Sequence, residues 1–305
     1  ERLGMDALAQ RGIHWELEIG WRDQIQDFKY GVRFNLSDNK SKIISYPFDG
    51  EFGNQGIYGY YNGKELGELW GYTSVGLAQS DEEMKEWLTS NKPNWGSKWQ
   101  AGDVKYKDLT GEGEVTPGAS TLENHGDLKR IGNNSPRYRV GLNLDAAWKG
   151  IDFSIFFQGV LKRDWMFDAG DPYFWGAGSG MWQAACFEEH MDYWTPENTN
   201  SYFPRIYEKA AGNTDANTRV QTRYLQDGSY LSIRNITLSY NFPSKWMSKI
   251  GVNNLAVFFS GENLYTFDHL PKGLDPERSV TDDLGQRGFT YPYMRQYSFG
   301  INLSF

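Results

Sequence analysis

The chain has 305 residues, 39% hydrophobic and 23% charged, which is enough apolar material for one large β unit or two ordinary domains and too much for a disordered chain. A formal net charge of -8 argues against a nucleic-acid partner, because phosphate backbones are bound by clustered Lys and Arg. The single cysteine, Cys186, excludes an intrachain disulfide and the multi-cysteine zinc patterns.

The first strong pattern in the chain is a period-two alternation of apolar and polar residues. It covers residues 13 to 21 and, after a polar break, residues 28 to 36, and therefore predicts a hairpin. The same alternation covers residues 138 to 148 and 151 to 157, and Lys149-Gly150 between them suits a tight two-residue turn. These segments predict two antiparallel hairpins.

Three further strands are predicted in the second half of the chain. Residues 230 to 242 change parity midway, which predicts a bulge near Arg234-Asn235. Residues 255 to 259 and 297 to 305 form the last two strands. With two weaker segments, 58 to 61 and 65 to 75, the total is about nine strands, the latter two separated by an Asn62-Gly63 turn.

The connections between these strands alternate between short and long. The short ones lie near 22 to 27, 62 to 63, 149 to 150 and 243 to 253, and the long ones near 37 to 56, 76 to 136, 162 to 229 and 264 to 294. Outer-membrane barrels have short periplasmic turns and long extracellular loops. We therefore expect an all-β, antiparallel transmembrane β-barrel fold, with residues 1 to 305 as one unit and a capped helix starting at Ser80 in a long loop.

Alternation alone also suits a soluble β-sandwich, whose strands alternate too. Aromatic residues near the strand ends favour the barrel, because Trp and Tyr gather at the lipid-water boundary. These aromatic residues are Trp15, Trp21, Tyr30, Tyr138, Trp148 and Tyr297. The alternative hypothesis is a secreted carbohydrate-binding or carbohydrate-cleaving β-sandwich, which predicts solubility without detergent.

Six stretches, in order along the chain, resemble the SusC/RagA-type TonB-dependent outer-membrane transporters. They are GDVKYKDLTGEGEV (102 to 115), IGNNSPRYRVGLNLDAAWKGIDFSIFFQGV (131 to 160), YWTPENTNSYFPRI (193 to 206), YLQDGSYLSIRNITLSYNFP (224 to 243), SGENLYTF (260 to 267) and YPYMRQYSFGINLSF (291 to 305). The resemblance implies a plugged barrel of about 22 strands, of which this chain would supply a C-terminal part without the plug and the N-terminal strands.

The resemblance also implies a function: TonB-dependent import of an oligosaccharide or peptide across the outer membrane of a Gram-negative bacterium. A SusD-like surface lipoprotein would act as the lid, and TonB would contact the missing N-terminal region. Residues 1 to 10 lack a signal peptide, which suggests a mature or proteolysed piece or part of a longer chain. Since lipid does not tolerate unpaired strand edges, upstream residues or a companion chain would complete the barrel.

The terminal residue, Phe305, resembles the signal that the barrel-assembly machinery reads in a last strand that alternates and ends in an aromatic residue. No P-loop, G-x-S-x-G elbow or dinucleotide fingerprint is present in the sequence, so we expect no enzyme activity.

The long connection from 162 to 224 holds the candidate ligand-binding residues: Trp165, Tyr173, Phe174, Trp175 and Trp182. Flat aromatic rings give apolar area to sugar faces or peptide side chains and keep a polar edge. The alternative is that the rings pack the loop on itself or on the lipoprotein lid.

A weak calcium motif starts at Asp108, where Asp108-x-Thr110-x-Glu112-Gly113 has the oxygen spacing of an EF-hand start. Asp108 and Glu112 are therefore candidate calcium ligands. An acidic turn is the default interpretation, because Ala119 stands where an EF-hand has its closing glutamate.

A second group, Cys186, Glu189 and His190, could share one helical face. One Cys and one His do not make a closed metal site of about four ligands. We therefore expect loop packing there and no cofactor.

Overall fold

The computed structural model describes residues 9–46, 56–96, 98–167, 171–179, 186–207, 216–277 and 293–304. Among these residues lie fifteen strands: β1 (Ala9–Ile25), β2 (Phe28–Ser45), β3 (Glu68–Gly71), β4 (Ser74–Leu77), β5 (Lys92–Pro93), β6 (Val104–Tyr106), β7 (Glu114–Val115), β8 (Lys129–Asn133), β9 (Arg137–Trp148), β10 (Ile151–Lys162), β11 (Asp164–Trp165), β12 (Gln226–Asp227), β13 (Tyr230–Asn241), β14 (Asn254–Asp268) and β15 (Gln296–Ser304).

The described helices are short. They are α1 (Asp81–Trp87), α2 (Pro172–Trp175) and α3 (Ser244–Met247), with 3-10 turns at Gly56–Tyr58, Gly176–Ser179, Glu188–Met191, Thr222–Tyr224 and Ser248–Ile250. Over the described ranges, no helix combines the length and the apolar character needed to cross a membrane.

One antiparallel sheet of seven strands dominates the structure, in the order β1-β2-β9-β10-β13-β14-β15. Neighbours in the sheet are also neighbours in sequence among these seven strands, and all pairs are antiparallel, so the sheet is an up-and-down meander. The β9–β10 turn has φ of 47° at Lys149 and 90° at Gly150, the positive values that a type I′ turn requires. Both predicted hairpins are confirmed, and so is the all-β antiparallel fold.

The two faces of this sheet have opposite chemistry. One cross-strand row runs through Trp21, Val32, Leu144, Ile155 and Ile236, and the other apolar rows lie on the same face. Large side chains on this face are exposed along both edge strands, with Trp21 at 62% and Phe299 at 73%. No second sheet covers the face within the described residues, and this contradicts the β-sandwich alternative.

The opposite face of the sheet is polar. A typical row on it runs through Glu18, Asn35, Gly141, Gln158 and Ser232. A barrel wall with lipid outside and water inside requires this division of apolar and polar faces.

All the long connections lie at the same end of the strands. Short turns follow β1, β9 and β13 at one end of the sheet, whereas residues 46–136, 163–229 and 269–295 connect the strands at the other end. We call the described parts of these three long connections the loop domain. The predicted alternation of short and long connections thus holds for the seven strands of the sheet.

Two of the nine predicted strands do not join the main sheet. Residues 56–58 form a 3-10 turn, and residues 65–75 contribute β3 and the start of β4, which pair with β8 and β6 inside the loop domain. The buried Lys64 holds the turn together by donating from Nζ to the carbonyl oxygens of Ile57 (3.1 Å) and Gly59 (2.6 Å). Asn62-Gly63 is therefore not a hairpin turn of the barrel wall.

The predicted bulge in β13 is confirmed at Arg234. Its neighbours Asn235 and Ile233 pair with the consecutive residues Phe156 and Phe157 of β10, which leaves Arg234 as the extra residue in that ladder. Its guanidinium donates to Asn263 Oδ1 at 3.0 Å and forms an ion pair with Glu277. The bulge thereby ties the barrel wall to the third long connection.

The predicted helix cap at Ser80 is also present. Ser80 Oγ accepts a hydrogen bond from the Glu83 N–H at 3.1 Å, which satisfies one of the free donors of α1. The Glu83 carboxylate reaches back to the N–H of Gln79 at 2.6 Å, one residue earlier than in a standard capping box.

Candidate ligand cavity in the loop domain

An aromatic core holds the loop domain together. The ring of Phe174 stacks on Phe167 with 4.6 Å between centroids, and Trp175 meets Tyr224 edge-on at 4.7 Å. Each aromatic pair of this kind adds about 0.5–1.5 kcal/mol to the free energy gained from burial. Trp175 and Tyr224 are 49 residues apart in the sequence, so this core joins the two ends of the second connection.

Asp171 determines where the short helix α2 begins. Its Oδ1 accepts hydrogen bonds from the backbone N–H groups of Tyr173 (2.9 Å) and Phe174 (3.1 Å). This is the N-cap arrangement, and Pro172 stands at the first helical position, where a missing N–H costs nothing. The cap fixes α2 so that Phe174 and Trp175 are buried while Tyr173 is only half-buried.

The predicted ligand-binding residues therefore divide into two groups. Trp165, Phe174 and Trp175 are 4%, 1% and 3% exposed, as expected if the loop packs on itself. Tyr173 remains accessible and lines a cavity. Trp182 lies outside the described residues.

The cavity next to Tyr173 has a volume of about 630 Å³. The turn 271–274 of the third connection forms one wall, and five aromatic residues form another: Tyr173, Phe174, Phe187, Tyr202 and Phe203. Its polar lining residues are Glu189, His190, Asp192 and Lys272. A cleft of this size with ring faces and few polar groups is typical of a small-ligand site.

His190 supports the wall of the cavity. Its Nε2 lies 2.8 Å from the carbonyl oxygen of Tyr173, and its Nδ1 accepts the N–H of Phe187 at 3.0 Å. Both ring nitrogens are thus used in packing the loop, with the proton assigned to Nε2 from this network. No sequence motif predicts this role, since a lone His is compatible with many environments.

The predicted helical face of Cys186, Glu189 and His190 does not form. Cys186 is exposed and precedes the 3-10 turn Glu188–Met191, whereas His190 is buried. In the part of the chain that the structure describes, no group of three or more His, Cys, Asp or Glu residues could hold a metal ion. Loop packing accounts for these residues.

The rim of the cavity carries both signs of charge. The Asp192 carboxylate is engaged, since it accepts hydrogen bonds from Asn198 Nδ2 (3.0 Å) and the Tyr202 N–H (3.1 Å). Glu189 and Lys272 are exposed at the rim. The cavity therefore offers ring faces together with one accessible carboxylate and one accessible ammonium group.

The candidate calcium residue Asp108 sits in an acidic turn. Its carboxylate accepts the N–H groups of Gly111 and Gly113, both at 2.7 Å, and the Thr110 hydroxyl at 3.0 Å. Partial burial raises the pKa of Asp108, but these donors outweigh it and hold the pKa below its usual value. Because N–H donors already point at its oxygens, and Glu112 is exposed, this geometry favours the turn over a cation site.

Asp127, which sequence reasoning missed, organises the same region from inside. It is fully buried, and its carboxylate accepts the N–H groups of Leu109 and Thr116, both at 2.6 Å, and of Thr110 at 3.1 Å. The motif 108–113 is therefore held by a second carboxylate 14 or more residues further along the chain.

No family model matches the sequence. The chain is 28% identical over 299 residues to TonB-dependent receptor P3 of Formosa agariphila, an alignment that covers 92% of this chain and 27% of that receptor. It is 25% identical over 310 residues to TonB-dependent receptor P26 of the same organism, covering 95% of this chain and 29% of the receptor.

Solved structures with the same fold come from the RagAB peptide importer. Its open-open state matches with a TM-score of 0.66 and 19% identity, covering 97% of this chain and 29% of the other. A second RagAB peptide transporter structure matches with a TM-score of 0.64 and 20% identity. The chain spans less than a third of the length of these relatives and structures, and the resemblance to SusC/RagA-type TonB-dependent transporters is confirmed.

Proposed function

We propose that this chain forms part of the barrel wall and of the extracellular loops of an outer-membrane importer that takes up a nutrient with energy from TonB. One observation carries the proposal: a meandering sheet has a continuous apolar face on one side and a polar face on the other, and all its long connections lie at the same end of the strands. An apolar face of this size is costly in water and favourable in hydrocarbon.

The sheet as described needs further strands. Within the described residues, β1 and β15 each have one hydrogen-bonded neighbour, and an open strand edge is not tolerated in hydrocarbon. We propose that strands from elsewhere in the same polypeptide or from a companion chain pair with both edges and close the barrel in the outer membrane of a Gram-negative bacterium.

The proposed cargo is an oligosaccharide or a peptide, held in the cavity beside Tyr173. The half-buried rings of Tyr173 and Tyr202 would stack on a sugar face or on an apolar side chain. A peptide would in addition pair its charged groups with Glu189 and Lys272, whereas a neutral glycan would leave both in water. The similarity to the RagAB peptide importer supports the peptide.

The proposed partners follow from the transport cycle. A SusD-like lipoprotein would cover the loop domain from outside, TonB would act through a region beyond this chain, and the barrel-assembly machinery would read the final strand with Phe305, which lies outside the described residues. The proposal involves no catalytic step, and calcium at Asp108 has no geometric support.

Fractionation of cells that produce the full-length protein tests the membrane assignment. We expect the protein in the outer-membrane fraction, soluble only with detergent, and folded in a form that shifts on gel electrophoresis after boiling. Recovery of a folded protein in the soluble periplasmic or culture fraction without detergent would contradict the proposal.

Uptake measurements then test the cargo. Cells lacking the gene should lose growth on, or accumulation of, either a peptide mixture or an oligosaccharide mixture, and a TonB deletion should have the same effect. Unchanged uptake of both mixtures in the deletion strain would contradict the import function while leaving the barrel intact.

A further inference from the structure

The apolar outer face of β1 and β2 ends in basic residues on the side of the long connections. Arg11 lies directly opposite Lys42, and Ile13 lies opposite Lys40. The register is unbroken from Gln10 to Ile25, so these cations share the face of the exposed apolar side chains of β1. We call Arg11, Lys40 and Lys42 the basic cluster.

The basic cluster carries an excess of positive charge. All three side chains are exposed, and like charges directly opposite each other destabilise a strand pair. Lys40 pairs with Glu65, with 2.8 Å between Nζ and Oε1. Glu65 also forms a β-bridge with Lys42 and attracts its ammonium group, so the three cations share this one neighbouring carboxylate and the basic cluster keeps a net positive charge.

An acidic residue of β2 on the same face, Asp38, is already paired with another cation. Asp38, opposite Trp15, is buried and forms an ion pair with Arg137 of β9. It therefore does not neutralise the basic cluster.

The position of the cluster matches one boundary of a lipid-facing belt. Apolar or aromatic residues occupy most of this face from Ile13 to Ile25 of β1. The twelve steps from Ile13 to Ile25, each rising about 3.4 Å along a strand tilted by about 40°, span roughly 30 Å, the thickness of a bilayer core. The basic cluster then lies at the level of lipid headgroups, on the side of the long extracellular connections.

We propose that the basic cluster binds the phosphate groups of an anionic glycolipid of the outer leaflet, with the acyl chains of the lipid against Ile13 and Trp15. This inference rests on the proposed function, because it requires the apolar face to lie in lipid. A phosphate between Arg11 and Lys42 replaces their repulsion by two charge-assisted hydrogen bonds. Continuity with the apolar face selects a lipid over free phosphate.

Lipid titration of the full-length protein, purified in detergent from outer membranes, tests this inference. Native mass spectrometry would compare binding of bisphosphorylated lipid A with binding of the same glycolipid after removal of its phosphates. Arg11→Gln/Lys42→Gln removes two cations from the cluster. The matched control, Lys29→Gln/Arg33→Gln, removes two cations from the polar face of β2.

We expect the wild type and the control to bind the phosphorylated lipid about tenfold or more tightly than the phosphate-free lipid, because each basic residue near a membrane surface adds an attraction of this order. The cluster variant should lose this preference, and excess inorganic phosphate should not displace the lipid. An unchanged preference in the cluster variant, no preference in the wild type, or displacement by inorganic phosphate would each overturn the inference. These outcomes leave outer-membrane fractionation unaffected, so failure here is distinct from failure of the proposed function.

Discussion

The imidazole of His190 packs so closely on Gly176 that a Cβ atom on the glycine would lie 2.5 Å from Nδ1. Gly176 also has a φ of 54°, a conformation that side chains with a Cβ rarely adopt. This contact joins the 3-10 turn Gly176–Ser179, which directly follows α2, to the 3-10 turn Glu188–Met191 and so holds the wall of the ligand cavity.

Gly176→Ala should therefore loosen the cavity wall. The left-handed backbone alone costs about 1–2 kcal/mol with a Cβ, and the ring of His190 must move as well. Limited proteolysis of the full-length protein should show faster cleavage near residues 176–191. The control is Gly178→Ala, where a Cβ meets nothing within 4 Å. Equal cleavage rates in the two variants would contradict the packing described for His190.

Trp175→Ala should act on stability more than on ligand affinity. The side chain is 3% exposed and meets Tyr224 at 4.7 Å, and removal of a buried Trp costs about 3–5 kcal/mol. Thermal unfolding followed by intrinsic fluorescence should show a lower Tm for this variant. A wild-type Tm combined with lost ligand binding would mean that Trp175 touches the ligand.

Tyr173→Ala should have the opposite profile. The ring is half-buried at the cavity, so its loss should weaken binding of the cargo by about tenfold or more through lost apolar contact, with little effect on Tm. Isothermal titration with the cargo identified by uptake measures this change. Tyr60→Ala, at an exposed site 52% accessible in the first connection, is the control and should bind normally.

Asp127→Ala should destabilise the turn at residues 108–113. The variant leaves three backbone N–H groups without their acceptor, at about 1–3 kcal/mol for each group that stays buried. Hydrogen exchange of Leu109, Thr110 and Thr116 should accelerate markedly. Glu112→Ala, at an exposed position in the same turn, should leave these exchange rates unchanged.

Asp103 should contribute to the pH dependence of the stability of the loop domain. Burial raises the pKa of this carboxyl group, although hydrogen bonds from Asn217 Nδ2 (2.8 Å) and the Tyr207 hydroxyl oppose the rise. The folded state then binds a proton more readily than the unfolded state. Asp103 therefore favours folding most below its ordinary pKa, and this contribution declines as pH rises through the raised value.

Asp103→Asn removes this titration. The ordinary carboxyl pKa is about 3.9. As pH is raised from about 4 towards 7, the Tm of the variant should therefore rise relative to the Tm of the wild type, because only the wild type loses the contribution of Asp103. Parallel Tm curves for the two proteins over this range would contradict the raised pKa.

The sheet was predictable because its determinants are local. Alternation assigns the faces of β1 and β2, and Lys149-Gly150 carries its own turn conformation. The loop domain was not predictable in this way. Tyr72 alternates with Trp70 as in a barrel strand, yet Tyr72 is buried against Trp95, and its N–H donates to the carbonyl oxygen of Val220 at 2.9 Å.

The candidate site was predictable only in outline. Aromatic composition located the cavity region around Tyr173, but it could not separate Tyr173 from Phe174 and Trp175. That separation depends on Phe203 and Tyr224, which are distant in sequence and pack on the inner side of α2. His190 and Asp127 had no sequence signature, because their roles come from backbone groups that the fold brings to them.

The bulge at Arg234 contributes to anchoring the third long connection and not to the apolar face of the sheet. Without this one residue, Leu231, Ile233, Ile236 and Leu238 would alternate perfectly, so the lipid-facing wall does not require it. The extra residue instead supplies a fixed cationic anchor for Glu277. Deletion of Arg234 should thus give a protein whose sheet forms normally but whose third long connection is no longer fixed to that sheet.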